Sequence, residues 1–277
     1  MHSEKEVNHM AQNHTDMGIR RFGRFNWLGL YTLALREVLR FLNVWTQTLL
    51  APMVTAGLFL VIFTIAVGTR RGDVLGVPFL TFIAPGVLMM TIIQNAFANT
   101  SSSLVISKVQ GNIVDTLMPP LSAFELVAGY MAGAVVRGVC IAVLLWLGLQ
   151  VTIGIGLAHP MLALIYAILG AALLGGLGIV AGVYANKFDQ MAAITNFIVT
   201  PLAFLSGSFY SITALPKVLH DITLFNPIFY LIDSLRYSVI GISDQPVSLS
   251  LAVSFGSVVA VACLAWGLFK TGYRLKS

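Results

Sequence analysis

Apolar residues fill six stretches of this chain, at about 44–67, 79–103, 126–150, 161–185, 191–210 and 248–269. Each is near the roughly 20 residues a helix needs to cross a hydrocarbon core roughly 30 Å thick. The pattern predicts six transmembrane helices. Ahead of them, residues 20–42 place Arg24, Thr32, Arg36 and Arg40 on a ridge of four-residue steps, interrupted by Leu28. Trp27, Tyr31, Leu35, Leu39 and Leu42 lie beside that ridge. Such a pattern predicts an amphipathic helix lying in the membrane surface.

A further apolar stretch, 222–242, carries Asn226, Pro227, Asp233 and Arg236. Because a charge at the bilayer centre costs at least about 2.5 kcal/mol on insertion scales, this stretch is not read as a crossing. Charge distribution agrees. With six crossings Lys5, Arg20, Arg21, Arg24, Arg36, Arg40, Lys108, Lys187, Lys270, Arg274 and Lys276 fall inside, against Arg70, Arg71, Lys217 and Arg236 outside. Positive residues favour the cytoplasmic side, so both termini are expected there. Segment 211–242 is then predicted to be a re-entrant hairpin of short helices, whose irregular backbone must be buried in protein or face a wet cavity.

Two connecting stretches stand out. Residues 104–124 interleave Ile106, Ile113, Val114 and Leu117 with Lys108, Gln110, Asn112 and Asp115, and stop at Pro119 and Pro120. A short amphipathic helix held between two spans is a lever suited to a cytoplasmic partner. Residues 201–216, PLAFLSGSFYSITALP, turn small and polar at the end of an apolar run.

Composition narrows the function classes. Of 277 residues 57% are hydrophobic and 10% charged, and the mean hydropathy is +0.88. The spans use up most of the chain, leaving no room for a soluble catalytic domain. The first apolar run lacks a short core with a small-residue cleavage site, so no cleaved signal peptide is read. Residues 1–19, with His2, His9 and His14, are expected to be a disordered cytoplasmic tail. The net charge of +5 clusters around the spans, a topology signal that gives no reason to expect nucleic acid as a partner. Cys140 and Cys263 sit in apolar runs, where a thiol behaves as a small hydrophobe, and neither a disulfide nor a metal site is expected.

Candidate chemistry is sparse. No lysine follows a glycine, so a Walker A loop cannot form and the chain is not expected to hydrolyse ATP. Ser206 and Ser208 have no histidine spaced as a base, so no catalytic residues are assigned. Thr91, Asn95, Asn99, Ser103 and Ser107 recur every four residues in the second span, widened by Gln94 and Ser102. Two readings of this polar ridge stay open: hydrogen bonding between helices, or the wall of a polar conduit. Arg137 lies inside the third span and needs a partner, with Asp233 and Glu125 as the candidates. Gly170, Gly175, Gly176, Gly178 and Gly182, with Gly129 and Gly133, mark close helix packing.

The basic amphipathic helix, six spans, the 104–124 element, FLSGSFYSITALP at 204–216 and NPIFYLIDSLRY at 226–237 together resemble the membrane subunits of ABC exporters of the second permease type. That family includes nodulation-factor, polysaccharide and drug-resistance export permeases. The resemblance spans about residues 24–276 and implies an all-α polytopic membrane protein, with residues 20–277 as one permease domain in a bacterial inner membrane. It implies a second permease chain, a homodimer, and two copies of a separate ATPase carrying ATP and magnesium, with no cofactor on this chain. By position, it implies coupling to the ATPase through Arg36, Glu37, Lys108, Gln110, Asn112, Asp115, Lys187 and Asp189, with 105–118 as the coupling helix. The conduit reading of the ridge makes Thr91, Asn95, Asn99 and Ser103 the lining of the path, and the resemblance implies a gate at Ser206, Gly207, Ser208, Tyr210 and Tyr230. No large aromatic cluster facing the conduit is visible in the sequence, which leaves the substrate open. The intramembrane charges are Arg137, Asp233 and Arg236, and the competing readings are an ion-coupled secondary transporter using Arg137 and Asp233, and a non-transporting assembly protein.

Overall fold

The computed structural model describes residues 25–68, 73–272 and 274. The expected tail and the first residues of the amphipathic segment lie outside the described residues. Within them the chain is helical, with an isolated antiparallel bridge between Val74 and Val77. The helices are α1 (Trp27–Leu42), α2 (Ala51–Phe63, flanked by π-turns at Thr46–Leu50 and Thr64–Gly68), α3 (Phe79–Val109), α4 (Ile113–Leu117), α5 (Ala123–Ile153) and α6 (Pro160–Tyr184). Then come α7 (Phe188–Ile194), a π-turn (Thr195–Val199), α8 (Thr200–Phe204), α9 (Lys217–Leu224), α10 (Pro227–Ile240) and α11 (Val247–Thr271).

Local chemistry sets the ends. Ser122 and Glu125 cap each other's backbone N–H groups at the start of α5, and Gly154 ends it in the left-handed conformation at φ 71°. Asn26 caps α1 through Gly29, and Asn226 caps α10 ahead of Pro227.

Among the described residues five helices are long and apolar enough to cross a membrane: Thr46–Ala66, Phe79–Val109, Ala123–Ile153, Pro160–Tyr184 and Val247–Thr271. The remaining expected span, 191–210, differs. Its helical run goes from Phe188 to Phe204, seventeen residues, which at 1.5 Å per residue is about 26 Å. It stops early because Gly207 takes φ 72° and the chain turns at Ser206–Ser208, although apolar composition continues. The lever also differs from the sequence reading, since 105–109 continues α3 and only Ile113–Leu117 forms a separate helix.

α3 and α6 form the centre. A Cβ on Gly178 would lie 2.5 Å from the Phe97 carbonyl, so only glycine admits this approach, and Thr100 Oγ1 donates to the Gly175 carbonyl at 2.7 Å. α5 packs on both, and α1 lies along α5 where Gly129 meets Leu33 and Gly133 meets Glu37. α2 and α11 flank this core with large apolar side chains facing outward, among them Val61, Ile62 and Phe255.

Candidate functional site

On α1 the buried face is Leu33, Glu37 and Phe41, while Trp27, Leu28 and Tyr31 are exposed. A fully buried carboxylate must be compensated, and Glu37 is. Its Oε1 accepts from Arg36 Nη2 at 3.0 Å and from Ser103 Oγ at 2.8 Å, and its Oε2 accepts from Arg40 Nε at 3.3 Å. Arg40 Nη2 also donates to the Asn99 backbone oxygen at 2.6 Å and to Asn99 Oδ1 at 3.1 Å. Asn99 and Ser103 of the polar ridge therefore hold α1. Arg36 reaches further, its Nη1 donating to Thr116 Oγ1 on α4 at 3.0 Å and its Nη2 to Tyr130 Oη at 3.3 Å. Burial works against the Arg36 charge, but neighbouring Tyr130 and Glu37 outweigh it and hold the guanidinium above its ordinary value.

The α4 turn projects from this bracket. Val109, Val114 and Met118 are exposed, as are Gln110, Asn112 and Asp115. Lys108 points elsewhere, with its Nζ donating to the carbonyls of Val183 and Ala185 at the end of α6. A cation on the last carbonyls of a helix is favourable, and here it also ties the α4 turn to the neighbouring turn that exposes Lys187 and Asp189. Lys108→Met leaves those carbonyls without their donor. We expect it to lower the midpoint of thermal unfolding of the purified chain by several degrees, whereas Lys187→Met, at an exposed position, leaves it unchanged.

Higher on α3, Thr91, Gln94 and Asn95 line a cavity of about 320 Å³ with Gln47, Phe59 and Phe209. Arg137 lies behind Asn95. Its Nη2 donates to Asn95 Oδ1 at 2.7 Å and to the Thr48 carbonyl at 3.4 Å, a carbonyl to which Pro52, four residues on, can offer no N–H. The expected pairing of Arg137 with Asp233 or Glu125 is thus corrected, because both carboxylates are engaged by nearer groups. Glu125 caps α5 and accepts from the Asn26 N–H at 2.5 Å, and Asp233 lies 3.6 Å from Arg236 Nη1.

At the opposite end, Ser206, Gly207 and Ser208 are buried in the turn after α8. Arg236 Nη2 donates to the Gly207 carbonyl at 2.5 Å, and its guanidinium lies 4.1 Å from the Phe82 ring centroid. Asp233 accepts from the N–H groups of Asp244 and Gln245 at 2.8 and 3.0 Å, and Asp244 in turn accepts from Ser211 Oγ at 2.7 Å. Asn226 Nδ2 donates to Ser206 Oγ at 2.8 Å, Tyr230 Oη donates to the Leu224 carbonyl at 3.0 Å, and Tyr210 is half-buried. No residue at Gly86 larger than glycine would clear the Ser208 backbone.

A model of the ABC-2 type transporter family matches residues 29–240, from α1 through α10. The chain belongs to the ABC-2 type transporter family. As an ABC-2 permease it is 34% identical over 251 residues to inner membrane transport permease YadH of Escherichia coli strain K12, covering 91% of this chain and 98% of that one. It is 26% identical over 233 residues to Nodulation protein J of Rhizobium leguminosarum bv. viciae, covering 82% and 85%. Within this ABC-2 permease the bracket, the α4 turn, the cavity and the Ser206–Ser208 turn all lie in the matched region.

Sequence reasoning missed two features of the ABC-2 site. One is an aromatic cluster: Phe209 lies 5.0 Å from Phe63, 5.6 Å from Phe204 and 6.5 Å from Phe59 between ring centroids. The other is Asp244, which sits between Asp233 and the Ser211–Ile212 turn. Both join residues far apart in the chain, and no local pattern marks them.

Proposed function

We propose that this chain is the membrane subunit of an ATP-driven exporter, in which two copies enclose the substrate path and two copies of a separate ATPase bind at the cytoplasmic side. The observation that carries this reading is the α4 turn. It presents exposed apolar Val109, Val114 and Met118 while Arg36 and Lys108 join it to α1, α3 and α6. Exposed apolar side chains on a short element with a rigid attachment are what a mechanical contact requires. Lys187 and Asp189 supply a polar second contact on the adjacent turn.

In this reading there are six crossings, with Phe188–Phe204 as the fifth and 211–242 re-entering from outside, both termini lie in the cytoplasm, and the Thr91–Asn95 part of α3 faces the path. ATP and magnesium belong to the partner, whose closure pushes the α4 turns together and biases the membrane pair between inward- and outward-open states. Arg36 and Glu37 transmit that motion to α3, and the turn at Ser206, Gly207 and Ser208, with Tyr210 and Tyr230, closes the outer end. A bacterial inner membrane fits the relative from Escherichia coli. Export as the direction comes from the family resemblance.

Affinity capture of the full chain from its native membrane in mild detergent, followed by mass spectrometry, tests this reading. A stoichiometric soluble subunit with Walker motifs supports it. A well-expressed chain recovered without one counts against it.

A further inference from the structure

α6 and the helical run Phe188–Phe204 leave a groove of about 250 Å³ between them. Its walls include Leu174, Leu177, Ile198 and Leu202, with Ile228 at the start of α10 and Tyr184 at the end of α6. Among the described residues, Tyr184 is the one lining side chain that carries a polar atom. Water finds no partners along such walls, so the occupant is hydrocarbon or protein. The length of the groove narrows this. From Leu174 to Tyr184 the α6 wall advances ten residues, about 15 Å at 1.5 Å per residue. That is one leaflet of a hydrocarbon core roughly 30 Å thick.

The chemistry changes at the Tyr184 end. The Arg274 guanidinium lies 5.4 Å from the Tyr184 ring centroid, and Lys187 is exposed three residues beyond Tyr184. Lys108 is close enough to Arg274 for the two charges to repel, and its hold on the Val183 and Ala185 carbonyls covers the negative end of α6. Against these cations Asp189 is the one carboxylate on α6, α7 or α11. An anion is favoured at this mouth. An apolar slot one leaflet deep, with cations at its surface end, matches the two-part chemistry of an anionic phospholipid.

We propose that this groove holds an acyl chain of an anionic phospholipid from the leaflet at the Tyr184 end, with the lipid phosphate on Arg274 and Lys187. A planar guanidinium suits a phosphate, and a zwitterionic headgroup would bring its own cation against the two basic side chains. The acyl chain fills space that the protein's own side chains leave open between α6 and α8. The site needs only that the end of α6 meet a bilayer surface. No ATPase takes part, so the lipid site and the exporter reading fail separately.

The full chain is reconstituted in nanodiscs of equal parts phosphatidylglycerol and phosphatidylcholine with matched acyl chains, released into mild detergent and weighed by native mass spectrometry. Wild type should retain one phosphatidylglycerol per chain in preference to phosphatidylcholine. Arg274→Gln should lower that preference about tenfold, the loss of one charged contact. Lys270→Gln removes a like charge from a site 4.7 Å from the Trp266 ring on α11 and should leave the preference unchanged. Ile198→Trp, at a position 52% exposed, fills the groove and should release both lipids, while its unfolding midpoint in lipid-free detergent stays that of wild type. Equal retention of the two lipids by wild type, or equal losses from Arg274→Gln and Lys270→Gln, would overturn the assignment. So would an Ile198→Trp chain that keeps its lipid but separates from a dimer into single chains, since a second copy would then be the occupant.

Discussion

Glu37→Ala yields a chain that inserts but unfolds early. Glu37 is fully buried and accepts from Arg36, Arg40 and Ser103, so its removal leaves two guanidinium groups and a hydroxyl without their shared acceptor. The guanidinium groups left behind are 45% and 29% exposed and regain water, so losing their buried acceptor costs about 1.5–3 kcal/mol. Glu37→Gln keeps one oxygen acceptor and should cost less. Thermal unfolding of the purified variants in one detergent gives the order wild type, Gln, Ala. The same experiment reads the bracket, because Ser103→Ala removes one neutral donor and should cost only about 1 kcal/mol.

Arg236→Leu strikes the opposite end harder. Arg236 is 1% exposed, lies against Asp233, donates to the Gly207 carbonyl and covers the Phe82 ring. Leucine strands the buried Asp233 charge and frees the Gly207 turn, at a cost of about 3–5 kcal/mol. Asp233 keeps two backbone N–H donors, so the double variant Arg236→Leu with Asp233→Asn should recover part of the loss. Limited proteolysis should show the single variant newly cleaved near residues 207–215, a segment that Arg236 and Asp244 otherwise hold. Equal protection in variant and wild type would show that the turn does not depend on Arg236.

Much of this architecture is legible in the sequence because a bilayer demands long apolar helices and leaves few alternatives. The spans at α3, α5, α6 and α11 follow directly from that demand. What is lost lies where composition and geometry part. Apolar residues run on past Phe204, yet the helix ends because Gly207 takes a left-handed turn, and hydropathy cannot register φ. The polar ridge on α3 is visible as a period of four, but its two halves do different work. Asn99 and Ser103 engage α1, and Gln94 with Thr91 and Asn95 faces the cavity, a division set by Glu37, which lies 66 residues before Ser103. Arg137 is recognisable as needing a partner. Proximity made Asn95, one neighbouring helix away, that partner, and left Asp233 to Arg236.

The most direct measurement is ATP turnover by the captured ATPase with and without this chain in nanodiscs, using wild type and the variant Val114→Glu with Met118→Glu. Both side chains are exposed, so the variant keeps its unfolding midpoint while charging the contact surface of the α4 turn. The account predicts that wild-type chain changes the turnover rate and that the variant abolishes the change. An ATPase whose rate is the same alone, with wild type and with the variant would contradict it.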